Sequence, residues 1–480
     1  MYIKKVKLVL MRALFCISAL LFSKVISAAE FSQVRPSNEE FMQLPEANWL
    51  KNGGDFYNRN FSQLDQINTS NVGDMIPIWR SHLAGSGVEA RFSGEAQPIV
   101  QDGIMYIITG ADDVFALSVE TGEILWSSFA NLTSEISTVC CGWTSRGVAI
   151  GEDKVFVGQL DGVLKAIDKE SGNTVWSIQA ENWQDGYTIT SAPLYFEGLV
   201  ITGFAGAEFA ARGRVKAFDA SNGSLVWTFY TVPGPGEFGH DSWPSDSTAW
   251  QTGGGTVWHT PAVDPDLGLI YFSTGNPGPD YNGAIRAGDN LFTASIVAID
   301  AYSGEYRWHF QQVHHDIWDY DAPNPVVLFD LEYDGIPRKG LAQAGKTGWV
   351  YILDRVTGEP LVGIEERAVP QEPRQATAAT QPFPVGDPFV TQTLDIPPEG
   401  FDLTNQGKIF TPFWDEPILL KRGEANWPPS TVDPAKGYMY VCAGERQAAY
   451  STQTDTDLAS SGDRYTGGSM RFAPVPTTGV

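Results

Sequence analysis

The stretch "VFALSVETGEILW" (114–126) recurs along the chain, as "LKAIDKESGNTVW" (164–176), "VKAFDASNGSLVW" (215–227) and "IVAIDAYSGEYRW" (296–308). Each copy reads as an alternating strand, a turn centred on Ser/Thr/Asn-Gly, and a second short strand ending in Trp. A fifth copy, "VYILDRVTGEPLV" (350–362), lacks the Trp. The turn glycines are Gly122, Gly172, Gly223, Gly304 and Gly358, spaced 50, 51, 81 and 54 residues apart. One unit therefore carries an insertion of about 30 residues, and a unit of about 50 with several short strands has the length of a propeller blade.

Working outward, a strand-like run precedes each turn: "GIMYIIT" (103–109), "DKVFVGQ" (153–159), "GLVITGF" (198–204) and "GLIYFST" (268–274). Long amphipathic helices are absent from the pattern, so the predicted class is all-β and the predicted fold a β-propeller. Each repeating Trp is expected between neighbouring blades, where an indole buries a face and still finds a partner for its N–H. "NVGDMIPIW" (71–79) reads as one more blade strand ahead of the first copy. "KIFTPFWDEPILL" (408–420) and "GYMYVCAG" (437–444) read as parts of another after the fifth. The count reaches about six or seven blades before "FAPVPTTGV", so the expectation is one propeller domain over 30–480 that lacks its closing sector.

Residues 1–29 read as a secretory signal: Lys4, Lys5, Lys7 and Arg12 precede an apolar run from Ala13 to Phe22, and Ser27, Ala28 and Ala29 supply small residues for cleavage. The apolar run is short for a membrane span, and no later stretch reads as one. Cleavage would take the net charge from −25 to about −30. So acidic a surface argues against nucleic acid and suits a basic protein partner. The expected compartment is the periplasm. Cys16 leaves with the signal, and Cys140, Cys141 and Cys442 remain. There is no C-x-x-C-H haem motif.

Chemistry concentrates in five short stretches. "STVCCGWTSRG" (137–147) places Cys140 beside Cys141. Neighbouring Cα atoms lie about 3.8 Å apart, less than the ~4.4–6.8 Å of ordinary disulfides. The pair is thus either two buried thiols or an unusual bond between neighbours, and a zinc site lacks further ligands nearby. "GFAGAEFAARG" (203–213) allows close backbone approach to a flat ligand and carries Glu208. "GGGTVWHTPA" (253–262) delivers Trp258, with His259 a candidate for the substrate entrance. "STGNPGPDYNG" (273–283) sets Asn276 at the end of an apolar strand, and "HHDIWDYDAPNP" (314–325) holds His314, His315, Asp316, Asp319 and Asp321. Oxygens from Glu208, Asn276 and Asp319 suit a hard cation. Loops on one face of successive blades can converge around the axis.

Taken together and in order, these motifs resemble the pyrroloquinoline quinone (PQQ)-dependent alcohol dehydrogenases. The resemblance runs from "NWLKNGGDFYNRNFSQLDQINTSNV" (48–72) to "EANWPPSTVDPAKGYMYV" (424–441). It implies an eight-bladed quinoprotein propeller with the quinone near its axis. It further implies a vicinal Cys140–Cys141 disulfide on one face of PQQ and Trp258 on the other, with Arg146 for a cofactor carboxylate. Glu95, Thr190, Thr256 and Asn426 match polar positions around the ring, and Gly206 and Ala207 match backbone contacts. Ala205 stands where many relatives have Ser. Glu208, Asn276 and Asp319 match metal ligands, Asp319 also the catalytic base, and Lys346 in "AGKTGWVYILD" the cation beside the reactive carbonyl. Asp321 adds a carboxylate of the kind found in lanthanide-dependent members; calcium is the expected ion and a lanthanide the alternative. The implied activity is oxidation of an alcohol or polyol, with cytochrome c or a quinone as electron acceptor. A sugar- or polyol-oxidising enzyme of the same fold and a non-catalytic periplasmic scaffold are the rival readings. The family's later tryptophan-rich cofactor segment has no counterpart before Val480, so residues 30–480 alone are expected to bind PQQ poorly.

Overall fold

A computed structural model describes residues 36–85, 92–333, 335–394, 396–397 and 403–473. The expected signal at 1–29 lies outside the described residues. Four four-stranded antiparallel sheets follow one another, each a simple meander. Blade 1 is Ile99–Gln101, Ile104–Ile108, Val114–Ser118 and Ile124–Ser128. Blade 2 is Ala149–Gly151, Lys154–Gly158, Val163–Asp168 and Thr174–Gln179. Blade 3 is Leu194–Phe196, Leu199–Gly203, Arg214–Asp219 and Leu225–Tyr230. Blade 4 is Ala262–Asp264, Leu269–Ser273, Ser295–Asp300 and Tyr306–Gln311. Blade 5 has three strands, Val327–Tyr333, Ile336–Ala344 and Val350–Asp354, with only a Leu353–Pro360 bridge where a fourth would pair.

The repeat explains how the blades join. In the outer strand of blades 1 to 4 a β-bulge sets Trp126, Trp176, Trp227 and Trp308 each opposite an alanine: Ala116, Ala166, Ala217 and Ala298. The bulge re-aims the indole toward the next blade. There its N–H donates to a carbonyl: Trp126 to Lys169, Trp176 to Ala220, Trp227 to Ala301 and Trp308 to Arg355. The ring lies so close to the next turn glycine that a Cβ on Gly172, Gly223, Gly304 or Gly358 would meet it within 3.2 Å. Glycine is thus required twice over, for the close approach and for φ of +72° to +79°. The Trp-less fifth copy coincides with the missing fourth strand.

One expectation about the flanks is corrected. The stretch 71–79 forms no strand; Val72–Asp74 is a 3-10 turn. Trp79 nonetheless donates to Val119 O (2.8 Å) and covers Gly122, as the other four tryptophans cover theirs. The contact is local to the indole, whereas a ladder needs a neighbouring strand, and none pairs with 71–79 among the described residues. After Asp354 the consecutive meander gives way to two two-stranded sheets, Ile364–Ala368 with Thr380–Pro384 and Thr431–Asp433 with Tyr438–Tyr440, and a three-stranded one, Ile418–Glu424 with Gly444–Thr452 and Gly468–Phe472. Among the described residues, five consecutive meanders are thus followed by a further three-stranded sheet as large as blade 5, in the region where one more blade was expected.

A strap formed by 49–60 runs across the first strands. Trp49 exchanges backbone hydrogen bonds with Val100, and the carbonyls of Phe56, Tyr57 and Arg59 accept from Val263, Leu328 and Val432. The Asn58 amide donates to Thr260 O and Val326 O. Blades 1, 4 and 5 and the 431–440 hairpin are thereby tied to one segment.

Candidate active site

The loops between and within the blades meet at a cavity of about 290 Å³. Every residue that the family resemblance assigns to cofactor, metal or catalysis lines it: Glu95, Cys140, Cys141, Arg146, Thr190, Gly206, Ala207, Glu208, Thr256, Trp258, Asn276, Asp319, Asp321, Lys346 and Asn426. They arrive from the approach to blade 1, the 1–2 and 2–3 linkers, a loop inside blade 3, both ends of blade 4's first two strands, the 4–5 linker and the end of blade 5's second strand. Cys140 and Cys141 are bonded to each other. Cys442 is a free, exposed cysteine.

One cluster is built on Arg146. Its guanidinium pairs with Glu95 (2.8 Å) and donates to Thr190 Oγ1 (3.1 Å) and Trp258 O (3.0 Å). It lies 4.9 Å over the Trp258 ring, a cation–π contact. Burial pushes its pKa down and Glu95 opposes that shift; a guanidinium stays charged regardless.

The second cluster is acidic. Lys346 Nζ donates to Asp319 Oδ1 (2.8 Å) and Asp321 Oδ2 (2.6 Å), and Arg422 to Asp319 Oδ2 (2.9 Å). Burial pushes the Asp319 carboxyl up, but Lys346 and Arg422 outweigh it and hold it below its ordinary value. Glu208 is pushed up to about 7 by burial, with Asp321 and Asp319 adding to the shift. Asp321 rises to about 6 through burial and then Asp319, against Lys346. Asp280, behind Asn276, is raised by burial and by Glu208, Asp319 and Asp321. Carboxyls outnumber cations here, and all the donors are oxygens, which is the chemistry a hard cation takes. Placement is a different matter. Among the described residues no three His, Cys, Asp or Glu side chains are placed to hold a metal ion. Both aspartates are instead turned onto Lys346.

Asp319 stands at φ 59°, a left-handed conformation that a bare Asp seldom keeps. Asp316 sustains it by accepting from Trp318 N (2.8 Å) and Tyr320 N (2.7 Å), on either side of Asp319. Fully buried Arg286 donates to Asp316 O (2.6 Å) and Pro279 O (2.9 Å), tying this loop to the one that carries Asn276. His315 is likewise internal, its ring nitrogens against Gly288 O and Gln375 O. His259 is buried and lines a smaller cavity behind Arg146, so the expected place at the entrance is corrected. Sequence reasoning missed Arg422, Trp427, Arg446 and Phe472, which also line the main cavity. They come from the region where no repeat sets a register.

The glucose/ethanol/alcohol dehydrogenase β-propeller (PQQ) family matches residues 49–464. The chain is 36% identical over 371 residues to quinoprotein alcohol dehydrogenase PedH of Pseudomonas putida, covering 73% of this chain and 61% of that protein. It is 36% identical over 386 residues to the dehydrogenase subunit of the quinone alcohol dehydrogenase of Gluconobacter oxydans, covering 75% and 50%. The quinohemoprotein alcohol dehydrogenase structure from Comamonas testosteroni superposes with a TM-score of 0.74 at 30% identity, over 90% of this chain and 64% of that one. A europium-containing methanol dehydrogenase superposes with a TM-score of 0.71 at 28% identity, over 89% and 73%. The chain spans 50% to 61% of the length of these two curated relatives. With the family match running through every blade and cavity loop described above, the chain belongs to the PQQ β-propeller family of glucose/ethanol/alcohol dehydrogenases.

Proposed function

We propose that the protein is a PQQ-dependent alcohol dehydrogenase, exported to the periplasm, which oxidises an alcohol to an aldehyde or ketone and passes electrons to a cytochrome c or a quinone. One observation carries the reading: a single cavity joins a cysteine pair, an indole and a buried arginine to an acidic cluster with its own lysine. The first cluster fits a flat, acidic cofactor. Arg146 Nε is buried without a partner among the protein atoms, and the disulfide and Trp258 offer two flat surfaces. Glu95, Thr190, Thr256 and Asn426 would bind its polar edge, and Gly206 and Ala207 would offer backbone groups. The second cluster fits a hard cation by charge and donor type, through Glu208, Asn276, Asp319 and Asp321; its placement, with both aspartates on Lys346, does not.

When bound, PQQ supplies a two-electron acceptor for alcohol oxidation. The chain supplies the rest. Asp319 accepts the hydroxyl proton of the substrate on its carboxylate. Lys346 and Arg422 keep that carboxylate ionised and aimed, and Asp316 holds its backbone. Lys346 also places a positive charge where negative charge grows on an oxygen. Calcium is the proposed ion; the europium-containing structural relative favours a lanthanide as the second reading. A sugar or polyol substrate fits the same machinery, and a non-catalytic scaffold has no use for it.

The test is reconstitution of the full-length protein with PQQ plus calcium or lanthanum, assayed with a dye acceptor over alcohols, sugars and polyols. Alcohol-dependent dye reduction is expected. Activity with lanthanum alone, lost in Asp321→Ala, would replace calcium. Inactivity in every combination would favour the scaffold.

A further inference from the structure

We infer that Lys346 is the built-in counter-ion of the acidic cluster, and that a hard cation loads there by exchange, Asp321 passing from the ammonium to the ion. This change of partner rests on the hard-cation reading of the cluster, whose donors suit an ion while their placement does not.

The two aspartates are held in different ways. Asp319 Oδ1 accepts from Lys346 Nζ (2.8 Å) and Oδ2 from Arg422 (2.9 Å), which also donates to Asp319 O (3.1 Å). Asp316 fixes the backbone on either side of it. Asp319 therefore stays aimed whether or not Lys346 is present. Asp321 Oδ1 accepts from Asn276 N, and a Cβ on Gly275 would meet that oxygen at 2.9 Å. That end of the carboxylate is pinned to the 275–276 backbone. Asp321 Oδ2 accepts from Lys346 Nζ at 2.6 Å, and it is the end that can change partner. Asn276 spends its Nδ2 on Pro277 O (3.0 Å), which leaves its Oδ1, an acceptor, for a cation.

Charge decides whether ammonium and ion can share Asp321. Calcium carries twice the charge of an ammonium, and a lanthanide three times. An ion on Asp321 Oδ2 would stand within a few ångströms of the ammonium already there, and like charges at that range in a cavity of low dielectric repel strongly. The ion also offers the surrounding carboxyls of Glu208, Asp280 and Asp319 more positive charge than the lysine does. Lys346 has a flexible four-carbon stem and can move, whereas the pinned carboxylate cannot. Released from Asp321, it keeps Asp319. Lys346 thus serves twice in sequence: it neutralises the cluster before loading, and afterwards it stands free to face a reacting oxygen.

Terbium titration of the full-length protein, stripped of metal, tests this. Tryptophan-sensitised luminescence reads it, since Trp258 and Trp427 line the same cavity. Lys346→Met removes the competitor and should tighten terbium binding about tenfold or more. Adding Asp321→Asn to it should abolish that gain. Lys346→Arg keeps the charge and should stay within about threefold of wild type. If Lys346 only braced the carboxylates, Lys346→Met would loosen the ion or leave its affinity unchanged, and either result overturns the exchange. A crystal structure of the wild-type protein with terbium needs no variant. The ion is expected against Asp321 Oδ2 and Asn276 Oδ1, with Lys346 Nζ beyond hydrogen-bond distance of Asp321. An ion there with Lys346 still on both aspartates overturns the exchange. Terbium bound only elsewhere, in wild type and Lys346→Met alike, overturns the hard-cation reading itself.

Discussion

Around Arg146 one guanidinium faces one carboxylate, Glu95, and otherwise neutral oxygens. Around Asp319, two cations, Lys346 and Arg422, face Asp319 and Asp321 directly, with Glu208 and Asp280 raised by burial and by the carboxylates beside them. The first arrangement is balanced and pre-formed, and a ligand adds to it without rearranging the charges. The second carries surplus negative charge in a buried place, so its members push each other's protons on. One cavity thus joins a balanced cluster to one with surplus negative charge.

The comparison breaks most visibly at Asp319. Asp319→Asn is expected to lower kcat about 10³-fold with PQQ affinity unchanged, in steady-state assays beside a fluorescence titration. Near-wild-type turnover would remove Asp319 from the chemistry. Lys346→Met leaves buried carboxylates uncompensated and should cost about 3 kcal/mol in urea unfolding at neutral pH. Added calcium or lanthanum should restore part of it, which the Arg146 cluster would not show. Arg146→Met should weaken PQQ binding about 10- to 100-fold, the equivalent of roughly 1.5–3 kcal/mol, while terbium luminescence reports cation binding unchanged. Parallel losses of both would mean that the clusters are not separable.

The smallest effect is in pH. His259 and His309, held by burial at about 3 and about 4, stay neutral in the folded chain, whereas in the unfolded chain they titrate at 6.5. The unfolded state therefore binds more protons between about 4 and 6.5, and each histidine costs about 1 kcal/mol as pH falls from 6.5 to 5.5. Glu208 acts with the opposite sign. Its folded value of about 7 exceeds the ordinary 4.5, so its contribution is present below 4.5 and lost as pH rises to 7. In thermal melts, His259→Gln should flatten the acid side and Glu208→Gln the neutral side. Identical profiles in both variants would contradict the contrast.

Where the repeat holds, sequence and structure agree closely. Gly122, Gly172, Gly223, Gly304 and Gly358, with the tryptophans, mark blades because a turn and an indole contact are each encoded within a few residues. The bulge opposite Ala116 and its equivalents was not legible, since it is a property of two paired strands. The stretch 71–79 misled because Trp79 makes the inter-blade contact without a ladder. Much of the main cavity's lining was legible through family resemblance, but Arg422, Trp427, Arg446 and Phe472 were not, and the spacing of "HHDIWDYD" alone could not show Lys346 between Asp319 and Asp321. Arg286 acts on the Asp316 carbonyl thirty residues away, and no local pattern announces that role.

The strap has a consequence for how the molecule is made. Asn60 donates to Ser430 O across a separation of 370 residues, and Val432 donates to Arg59 O. Residues 49–60 leave the ribosome before any blade, and obtain these partners only after residues through 432 have been synthesised. Contacts that distant are slow to form because a long loop must close before any of them rewards it. A segment made before the blades is thus a late seam between blade 1 and the 431–440 hairpin.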